Sequence, residues 1–258
     1  MARYSPLTFA YALRMNALFL PGIIAPASIR YAPLLPHLKG VGACVSELAV
    51  YASEAPPADY SIDTEIDAID ANANRAGFER FHLYAHSGGG ACALAYIAKR
   101  PERVLTLTVD EPASDLTVAD HADPYWKLID EARSLPDREA TVAFLKLQLA
   151  PDVEPPIPPG PPPPWLAKRP AGIRAISREL ERYEVDPARY RAFKAPVLYT
   201  HGSKSHPRWL AMRDRLAGLF PDFRSELFEG LHHLNTSHQA EPARTADLLR
   251  AHWARAAG

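Results

Sequence analysis

The chain has 258 residues, which is enough for one sizeable hydrophobic core, and α/β proteins of this length often form a single domain. Apolar residues make up 47% and charged residues 23%, which is ordinary for a globular protein and argues against an intrinsically disordered chain. The formal net charge is −1 with both signs interspersed, so we expect no basic surface for nucleic acid or an anionic membrane. A small neutral or mixed molecule is the expected substrate, and a monomer or homodimer the expected state.

The two cysteines, Cys44 and Cys92, lie in apolar contexts, and neither belongs to a pair with metal-ligand spacing. We expect two reduced core residues and no metal site. No apolar run approaches the roughly 20 residues that span a bilayer. The N-terminus also lacks a basic region followed by a long apolar stretch and a cleavage site, so a cytoplasmic location is expected.

Short apolar runs alternate with helix-length amphipathic runs, which is the pattern of parallel strands joined by helical crossovers. This predicts an α/β fold with a mostly parallel central sheet flanked by helices. The predicted strands are residues 16–20, 43–51, 80–86, 104–110, a run that opens at Val197, and 223–228. The predicted helices of the core are residues 26–38, 61–77, 91–100 and 241–256.

More than 80 residues between Asp110 and Val197 do not continue this alternation, which indicates an insertion. Its predicted helices are residues 124–134, 137–149 and 165–183. We therefore assign residues 1–112 and 191–258 to the core and residues 113–190 to a helical cap insertion.

The insertion contains a proline-rich segment, residues 151–164, with nine prolines. This is too many for a helix or an inner strand, so an extended polyproline II conformation is predicted. The segment is either a ligand for a proline-recognising partner or a stiff loop between two cap helices. We favour the stiff loop, because the segment lies between helices and not in a tail.

Residues 84–89, with the sequence Tyr-Ala-His-Ser-Gly-Gly, join a short β-prone run to an apolar helix without a gap. A side chain held at such a tight turn has a strained backbone, and the small residues Ala85 and Gly89 let strand and helix approach closely. The turn also leaves the backbone N–H of Gly88 at a helix N-terminus, where it can bind a developing oxyanion. The segment resembles the nucleophile elbow, G-x-S-x-G, of the α/β-hydrolase superfamily, with Ala85 in place of the first glycine. The resemblance implies that Ser87 is a nucleophile.

Other interpretations of the Ser-Gly-Gly-Gly turn are a phosphate-binding loop and a merely flexible turn. A Walker-type loop needs a longer glycine spacing and a lysine after its glycines, whereas Ala91 and Cys92 follow here. A dinucleotide fingerprint needs G-x-G-x-x-G near the first strand, and that pattern is missing. The position between a strand and a helix favours the elbow.

The order of catalytic residues in the superfamily is nucleophile, acid, histidine, so the resemblance directs the search for the base to the end of the chain. Residues 230–234, Gly-Leu-His-His-Leu, follow the last predicted strand and precede the last helix, where the superfamily carries its catalytic histidine. Matching the loop residue by residue puts His233 on that position. His232 is the alternative.

The acid of the superfamily usually follows the penultimate strand, but residues 201–206 contain no carboxylate. Some members, the haloalkane dehalogenases among them, carry the acid after the strand that follows the elbow helix. Asp110, Glu111 and Pro112 stand at that point here. The resemblance implies Glu111 as the acid that fixes the imidazole tautomer, with Asp110 as second choice and a helix-capping role as the remaining interpretation.

A second oxyanion donor normally follows a His-Gly pair at the end of the first core strand, and Pro21-Gly22 occupies that place. The resemblance therefore implies the backbone N–H of Ile23 as the donor that acts with Gly88. The predicted substrate-binding residues are Ile24, His86, Tyr125, Trp126, Phe144 and Trp165.

In element order the resemblance covers nearly the whole chain. It implies a serine hydrolase that acts on an ester, lactone or thioester of a small to medium apolar substrate, through an acyl-enzyme and without a cofactor. Two alternatives stay open on the same fold. One is a cofactor-independent non-hydrolytic enzyme, such as a lyase or cyclase of natural-product metabolism, and the other is a ligand-binding receptor.

Overall fold

The computed structural model describes residues 15–156 and 163–257, and within them six strands form one parallel sheet in the order β2-β1-β3-β4-β5-β6. The strands are β1 (Asn16–Leu20), β2 (Gly42–Val45), β3 (Phe81–His86), β4 (Val104–Asp110), β5 (Val197–Gly202) and β6 (Phe223–Phe228). The predicted α/β class with a parallel central sheet is confirmed. The second strand is shorter than the predicted residues 43–51, because the chain leaves the sheet after Val45 and forms a 3-10 turn at Ala49–Tyr51.

The helices in the described part of the chain are α1 (Ala27–Tyr31), α2 (Ile62–Arg75), α3 (Ser87–Lys99), α4 (Val118–His121), α5 (Tyr125–Arg133), α6 (Asp137–Lys146), α7 (Arg169–Arg182), α8 (Pro187–Ala192), α9 (Arg208–Ala217), α10 (Ser237–Ala240) and α11 (Pro242–Trp253). In residues 15–156 and 163–257, no helix combines the length and the apolar character needed to cross a membrane.

Two predicted helices are interrupted. Residues 26–38 form α1 and then a 3-10 turn at Leu35–His37, because Pro33 and Pro36 cannot donate to a continuous helix. Residues 165–183 begin in a 3-10 turn, Pro164–Lys168, before α7. Of the proline-rich segment, residues 157–162 lie outside the described residues, so their extended conformation stays a prediction.

Successive strand residues point to opposite faces of the sheet, and helices pack on both faces and bury them. Leu18 and Leu83 face the larger apolar cluster, which includes the buried side chains of α2 and α3. Phe19 and Tyr84 face the other side, where they meet α1 and the terminal helix, including Trp253. Packing in these two clusters fixes the positions of the strand ends that carry the site.

Helices α4 to α8 lie between β4 and β5, in the segment predicted as an insertion. A buried charge cluster connects the beginning of this segment to α9. Asp120 accepts hydrogen bonds from Arg208 Nη2 at 2.9 Å and Arg215 Nη2 at 2.6 Å, and Asp115 accepts one from Arg215 Nε at 2.7 Å. Buried carboxylates that are paired in this way do not remain as uncompensated charges. The cluster therefore holds α9, and with it Trp209, against the core.

The carboxyl ends of β3, β4 and β5 lie side by side, since His86 pairs with Asp110 and Asp110 with Thr200 in the sheet register. Ligands of open α/β sheets bind outside the carboxyl ends of the strands. Ser87 and Glu111 follow two of these ends directly.

Candidate active site

Ser87 lies at the turn between β3 and α3 with φ at 52°, a left-handed conformation that is uncommon for a residue with a side chain. The turn packs tightly against the loop that follows β1. A Cβ added at Gly89 would lie 2.3 Å from the carbonyl oxygen of Pro21, so only glycine fits there. Because the turn packs against the loop after β1, the backbone at Ser87 is fixed and its side chain has a defined direction.

His233 follows β6 and reaches the serine from the C-terminal loop. Its Nε2 lies 2.9 Å from Ser87 Oγ, and its ring stacks on Trp209 with centroids 4.8 Å apart and planes at 11°. The neighbouring His232 instead accepts a hydrogen bond from the backbone N–H of Leu234 at Nδ1, 3.3 Å away. Of the two candidate histidines, the structure brings His233 to the serine.

Glu111 lies immediately after β4 with φ at 46°, and its side chain is fully buried. Its Oε2 is 2.8 Å from His233 Nδ1, and its Oε1 accepts a hydrogen bond from the backbone N–H of Gly202 at 2.7 Å. A carboxylate against Nδ1 favours the tautomer with the proton on Nδ1, which leaves Nε2 free to accept the Ser87 proton. Serine, histidine and glutamate therefore form one hydrogen-bonded chain.

Gly202 explains how a glutamate from β4 reaches the histidine loop. The resemblance implies an acid after β5, but residues 201–206 there contain no carboxylate. A Cβ at Gly202 would lie 2.2 Å from the carbonyl oxygen of Leu231, so the strand end and the histidine loop touch backbone to backbone. The Gly202 N–H donates a hydrogen bond to the Glu111 carboxylate and so fixes it beside the histidine loop.

Asp110, the second candidate acid, has other partners. Its Oδ2 accepts hydrogen bonds from Tyr84 Oη at 3.1 Å, Ser237 Oγ at 3.2 Å and His238 Nδ1 at 3.0 Å. Burial alone would raise the pKa of Asp110, but the hydrogen bond from His238 and the charge of Arg30 hold the pKa below its usual value. Asp110 is thus an ionised anchor beneath the site and not the partner of His233.

His86, the residue before the serine, is buried between Asp110 and Arg30. Its Nδ1 lies 3.0 Å from the backbone carbonyl of Asp110, and its Nε2 accepts a hydrogen bond from Arg30 Nη2. Burial and the neighbouring Arg30 charge lower the pKa of His86 well below the ordinary histidine value. Its neutral ring lies with its centroid 4.8 Å from that of His233.

The two predicted oxyanion donors lie next to each other. A Cβ at Gly88 would be 2.4 Å from Ile23 Cγ2, and one at Gly22 would be 3.0 Å from Ser87 Cβ. Gly88 is the second residue of α3, where backbone N–H groups have no partner inside the helix. The loop through Ile23 and the start of α3 therefore flank the serine from two sides.

Tyr51 holds the Ile23 loop from behind, since its hydroxyl donates a hydrogen bond to the Ile23 carbonyl at 2.7 Å. The turn that carries Tyr51 is fixed by the buried carboxylate of Glu65. This carboxylate accepts hydrogen bonds from the backbone N–H groups of Ala49 at 2.8 Å and Val50 at 2.9 Å. Tyr51 is therefore a positioning residue for the loop beside the serine.

A cavity of about 290 Å³ opens onto Ser87 and His233. Its walls are mainly apolar, which suits a small organic ligand. Four of the predicted substrate-binding residues line it, namely Ile24, His86, Phe144 and Trp165.

Tyr125 and Trp126 were predicted to bind substrate, but they are not among the described residues that line the cavity. Both are buried in the packing around Arg208, whose guanidinium lies 4.0 Å from the Tyr125 ring and 5.7 Å from the Trp126 ring. The Tyr125 hydroxyl accepts a hydrogen bond from Gln148 Nε2, and Trp126 Nε1 donates one to the Asp120 carbonyl. These two residues do not line the cavity because their polar atoms already have hydrogen-bond partners where the helices pack together.

Sequence reasoning missed several residues at the site, among them Arg30, Tyr51, Gly202 and Trp209. Only Gly202 carried a local signal, as a glycine at the end of a predicted strand. The others contact the site from α1, a short turn and α9, none of which has a motif in the sequence.

A parallel sheet with a strained serine between a strand and a helix, and a histidine after the last strand, defines the α/β-hydrolase class of fold. The family model described as alpha/beta hydrolase fold matches residues 49–239, which is well over half of the chain. This chain belongs to the α/β-hydrolase fold family. Comparison with curated protein sequences gives no significant match.

Solved structures with this fold include a thermophilic esterase from Thermogutta terrifontis, with 14% identity, a TM-score of 0.68, and coverage of 94% of this chain and 90% of that one. NosK from Streptomyces actuosus has 18% identity and a TM-score of 0.68, with coverage of 95% and 100%. The 2-hydroxy-6-oxo-6-phenylhexa-2,4-dienoate hydrolase from Rhodococcus has 16% identity and a TM-score of 0.61, with coverage of 93% and 91%. At these identities the likeness shows the fold.

Proposed function

We propose that this protein is a serine hydrolase that cleaves an ester, lactone or thioester through an acyl-enzyme. The observation that carries the proposal is the continuous chain from Ser87 Oγ to His233 Nε2 at 2.9 Å and from His233 Nδ1 to Glu111 Oε2 at 2.8 Å. A nucleophile, a base and an orienting carboxylate in that order are the requirements for activating a serine hydroxyl.

In the acylation half, His233 Nε2 takes the Ser87 proton while Oγ attacks the carbonyl carbon. The resulting oxyanion accepts hydrogen bonds from the backbone N–H groups of Ile23 and Gly88, and Glu111 stabilises the imidazolium. His233 then gives its proton to the leaving oxygen or sulfur as the tetrahedral intermediate collapses. In the second half, water gives a proton to His233 and attacks the acyl carbonyl. The second tetrahedral intermediate then breaks its bond to Oγ, which takes the proton back from His233, and the acid is released.

The cavity supports a small to medium substrate that is mostly apolar. Its lining includes the apolar side chains Ile23, Ile24, Phe144, Leu145, Trp165 and Leu166. Apolar walls stabilise a bound ligand by removing its apolar surface from water. They also lower the local dielectric constant, which strengthens the electrostatic interactions at the serine.

Labelling with a fluorophosphonate tests the nucleophile and the base together. We expect rapid covalent labelling of the wild-type protein, none in Ser87→Ala, and a loss of at least about 10³-fold in labelling rate in His233→Ala, since the base activates the serine. His232→Ala is the matched control and should label at close to the wild-type rate. Labelling that persists in Ser87→Ala, or is lost in His232→Ala and not in His233→Ala, contradicts the assignment.

Turnover separates hydrolysis from the two alternatives on this fold. A hydrolase releases acid from p-nitrophenyl esters of medium acyl length, and Ser87→Ala abolishes the release. Labelling of Ser87 without turnover of any ester or thioester would favour a lyase or a receptor instead.

A further inference from the structure

Arg30 is a buried cation that faces the cavity beside Ser87. Its side chain is 7% exposed and lines the cavity wall. Among the described residues, no carboxylate lies within ion-pair distance of the guanidinium; Asp110 and Glu111 act on its charge from further away and bond to His238 and His233. A buried guanidinium that no carboxylate contacts directly can still gain from a counter-ion, so its place on the wall of a ligand cavity points to a ligand of opposite charge.

The existing partners of Arg30 are all neutral acceptors. Nη1 donates to Gln239 Oε1 at 2.7 Å and to the backbone carbonyl of Leu234 at 3.4 Å. Nη2 donates to His86 Nε2 and, at 3.3 Å, to the backbone carbonyl of His233. The buried Nε has no hydrogen-bond partner within the described residues. These contacts fix the guanidinium on the cavity wall without neutralising it.

Gln239 adds a second donor on the same wall of the cavity. Because its Oε1 accepts from Arg30, its amide N–H groups are available to another acceptor. An amide that offers N–H groups beside the positive charge of a guanidinium is suited to a carboxylate.

We propose that Arg30, with Gln239, binds a carboxylate carried by the substrate, which makes this protein selective for acidic esters or thioesters such as monoesters of short dicarboxylic acids. The inference rests on the proposed hydrolase function. Arg30 contacts His86, the residue before the nucleophile, and the backbone of His233. The carboxylate therefore lies only a few bonds from the carbonyl that Ser87 attacks, and the rest of the substrate contacts the apolar walls.

Paired substrates test the preference in the wild-type protein. Monoethyl succinate carries the carboxylate on the acyl part, ethyl isocaproate is its neutral isostere, and butyryl glycolate carries the carboxylate on the alcohol part. Release of ethanol or butyrate measures kcat/KM. A hydrogen bond to a charged group is worth about 1.5–3 kcal/mol, so one acidic ester should exceed the neutral ester by about 10- to 100-fold. Equal or faster turnover of ethyl isocaproate overturns the inference.

Arginine variants separate ligand binding from a purely structural role. Arg30→Gln should remove the preference by raising KM for the acidic ester, while Arg30→Lys should keep part of it. Arg224→Gln is the control, because Arg224 is exposed on β6 and its removal changes the net charge by the same amount. If Arg30→Gln slows acidic and neutral esters by the same factor, Arg30 only ties the histidine loop to α1 and the proposal is wrong.

Binding without turnover keeps this inference distinct from the hydrolase proposal. Calorimetry on Ser87→Ala should show tighter binding of monoethyl succinate than of ethyl isocaproate, and Ser87→Ala/Arg30→Gln should lose the difference. If no ester is turned over but this difference is present, the hydrolase proposal fails and the anion site stands. If esters are turned over and Ser87→Ala binds both ligands equally, the anion site fails alone.

Discussion

Replacing Glu111 by glutamine tests the least expected member of the proposed triad. Both carboxylate oxygens accept hydrogen bonds, one from His233 Nδ1 and one from the Gly202 N–H, and the side chain is fully buried. Glutamine has a single acceptor oxygen, so it can satisfy one of these donors and must turn its amide towards the other.

The two orientations of the amide have different costs. With its oxygen towards His233, the amide N–H groups face the Gly202 N–H, and an unsatisfied buried donor costs about 1–3 kcal/mol. With its oxygen on Gly202, the amide donates to His233 Nδ1, which forces the ring proton onto Nε2. That nitrogen can then no longer accept the Ser87 proton. Asparagine in place of a triad aspartate has an effect of about 10⁴ in kcat, or about 5.5 kcal/mol, and we expect a loss of this size for Glu111→Gln.

The assay measures kcat on a p-nitrophenyl ester together with the rate of fluorophosphonate labelling, after a thermal melt has shown that the variant is folded. Asp110→Asn is the matched control. It should lose stability, because Asp110 anchors Tyr84, Ser237 and His238, but keep kcat within about tenfold of wild type. A large loss in Asp110→Asn with little loss in Glu111→Gln would refute the reasoning and exchange the roles of the two carboxylates.

Two further substitutions test the support of the site and the buried histidines. Tyr51→Phe removes the hydrogen bond to the Ile23 carbonyl, so kcat should fall by about tenfold with KM nearly unchanged, whereas Tyr183→Phe, at an exposed hydrogen bond to Asp63, should change neither. An effect confined to KM would contradict a role in positioning the oxyanion loop. Burial lowers the pKa of His252 to about 4, so the unfolded chain binds the extra proton first and stability falls as pH drops from about 6.5 towards 4. Denaturant melts at pH 7 and pH 4.5 should show that His252→Gln loses about 2–3 kcal/mol less than wild type on acidification, and an equal loss would refute this account.

Local sequence patterns were sufficient to predict the features that depend on residues close together in the chain. The alternation of apolar runs predicted a parallel sheet because buried strands and crossover helices differ in length and period. The glycines after Ser87 indicated the tight turn, because no side chain fits where Gly89 meets the loop after β1. Ser87, His233 and Glu111 were chosen because the resemblance to the α/β-hydrolase superfamily implies residues that follow strand ends, and parallel strands bring such ends together.

Packing decided what no local pattern encodes. The sequence showed Tyr125 and Trp126 as aromatic side chains on a helix, but whether they face a ligand or Arg208 depends on how α5 sits against α9. Tyr51 and Trp209 reach the site only through contacts between distant segments, with Ile23 and with His233.

By itself, then, the sequence determined the order of strands and helices and the residues at the turns, because both follow from periodicity and backbone sterics over a few residues. Tertiary structure alone decided which carboxylate meets which imidazole, because Asp110 and Glu111 are adjacent in the chain and yet bond to His238 and His233 from different loops. It also decided that Arg30 lines the cavity with no carboxylate of the described residues in direct contact. Hydrogen bonds and charge pairing between remote segments depend on distances that the folded core sets, and no local sequence pattern specifies these distances.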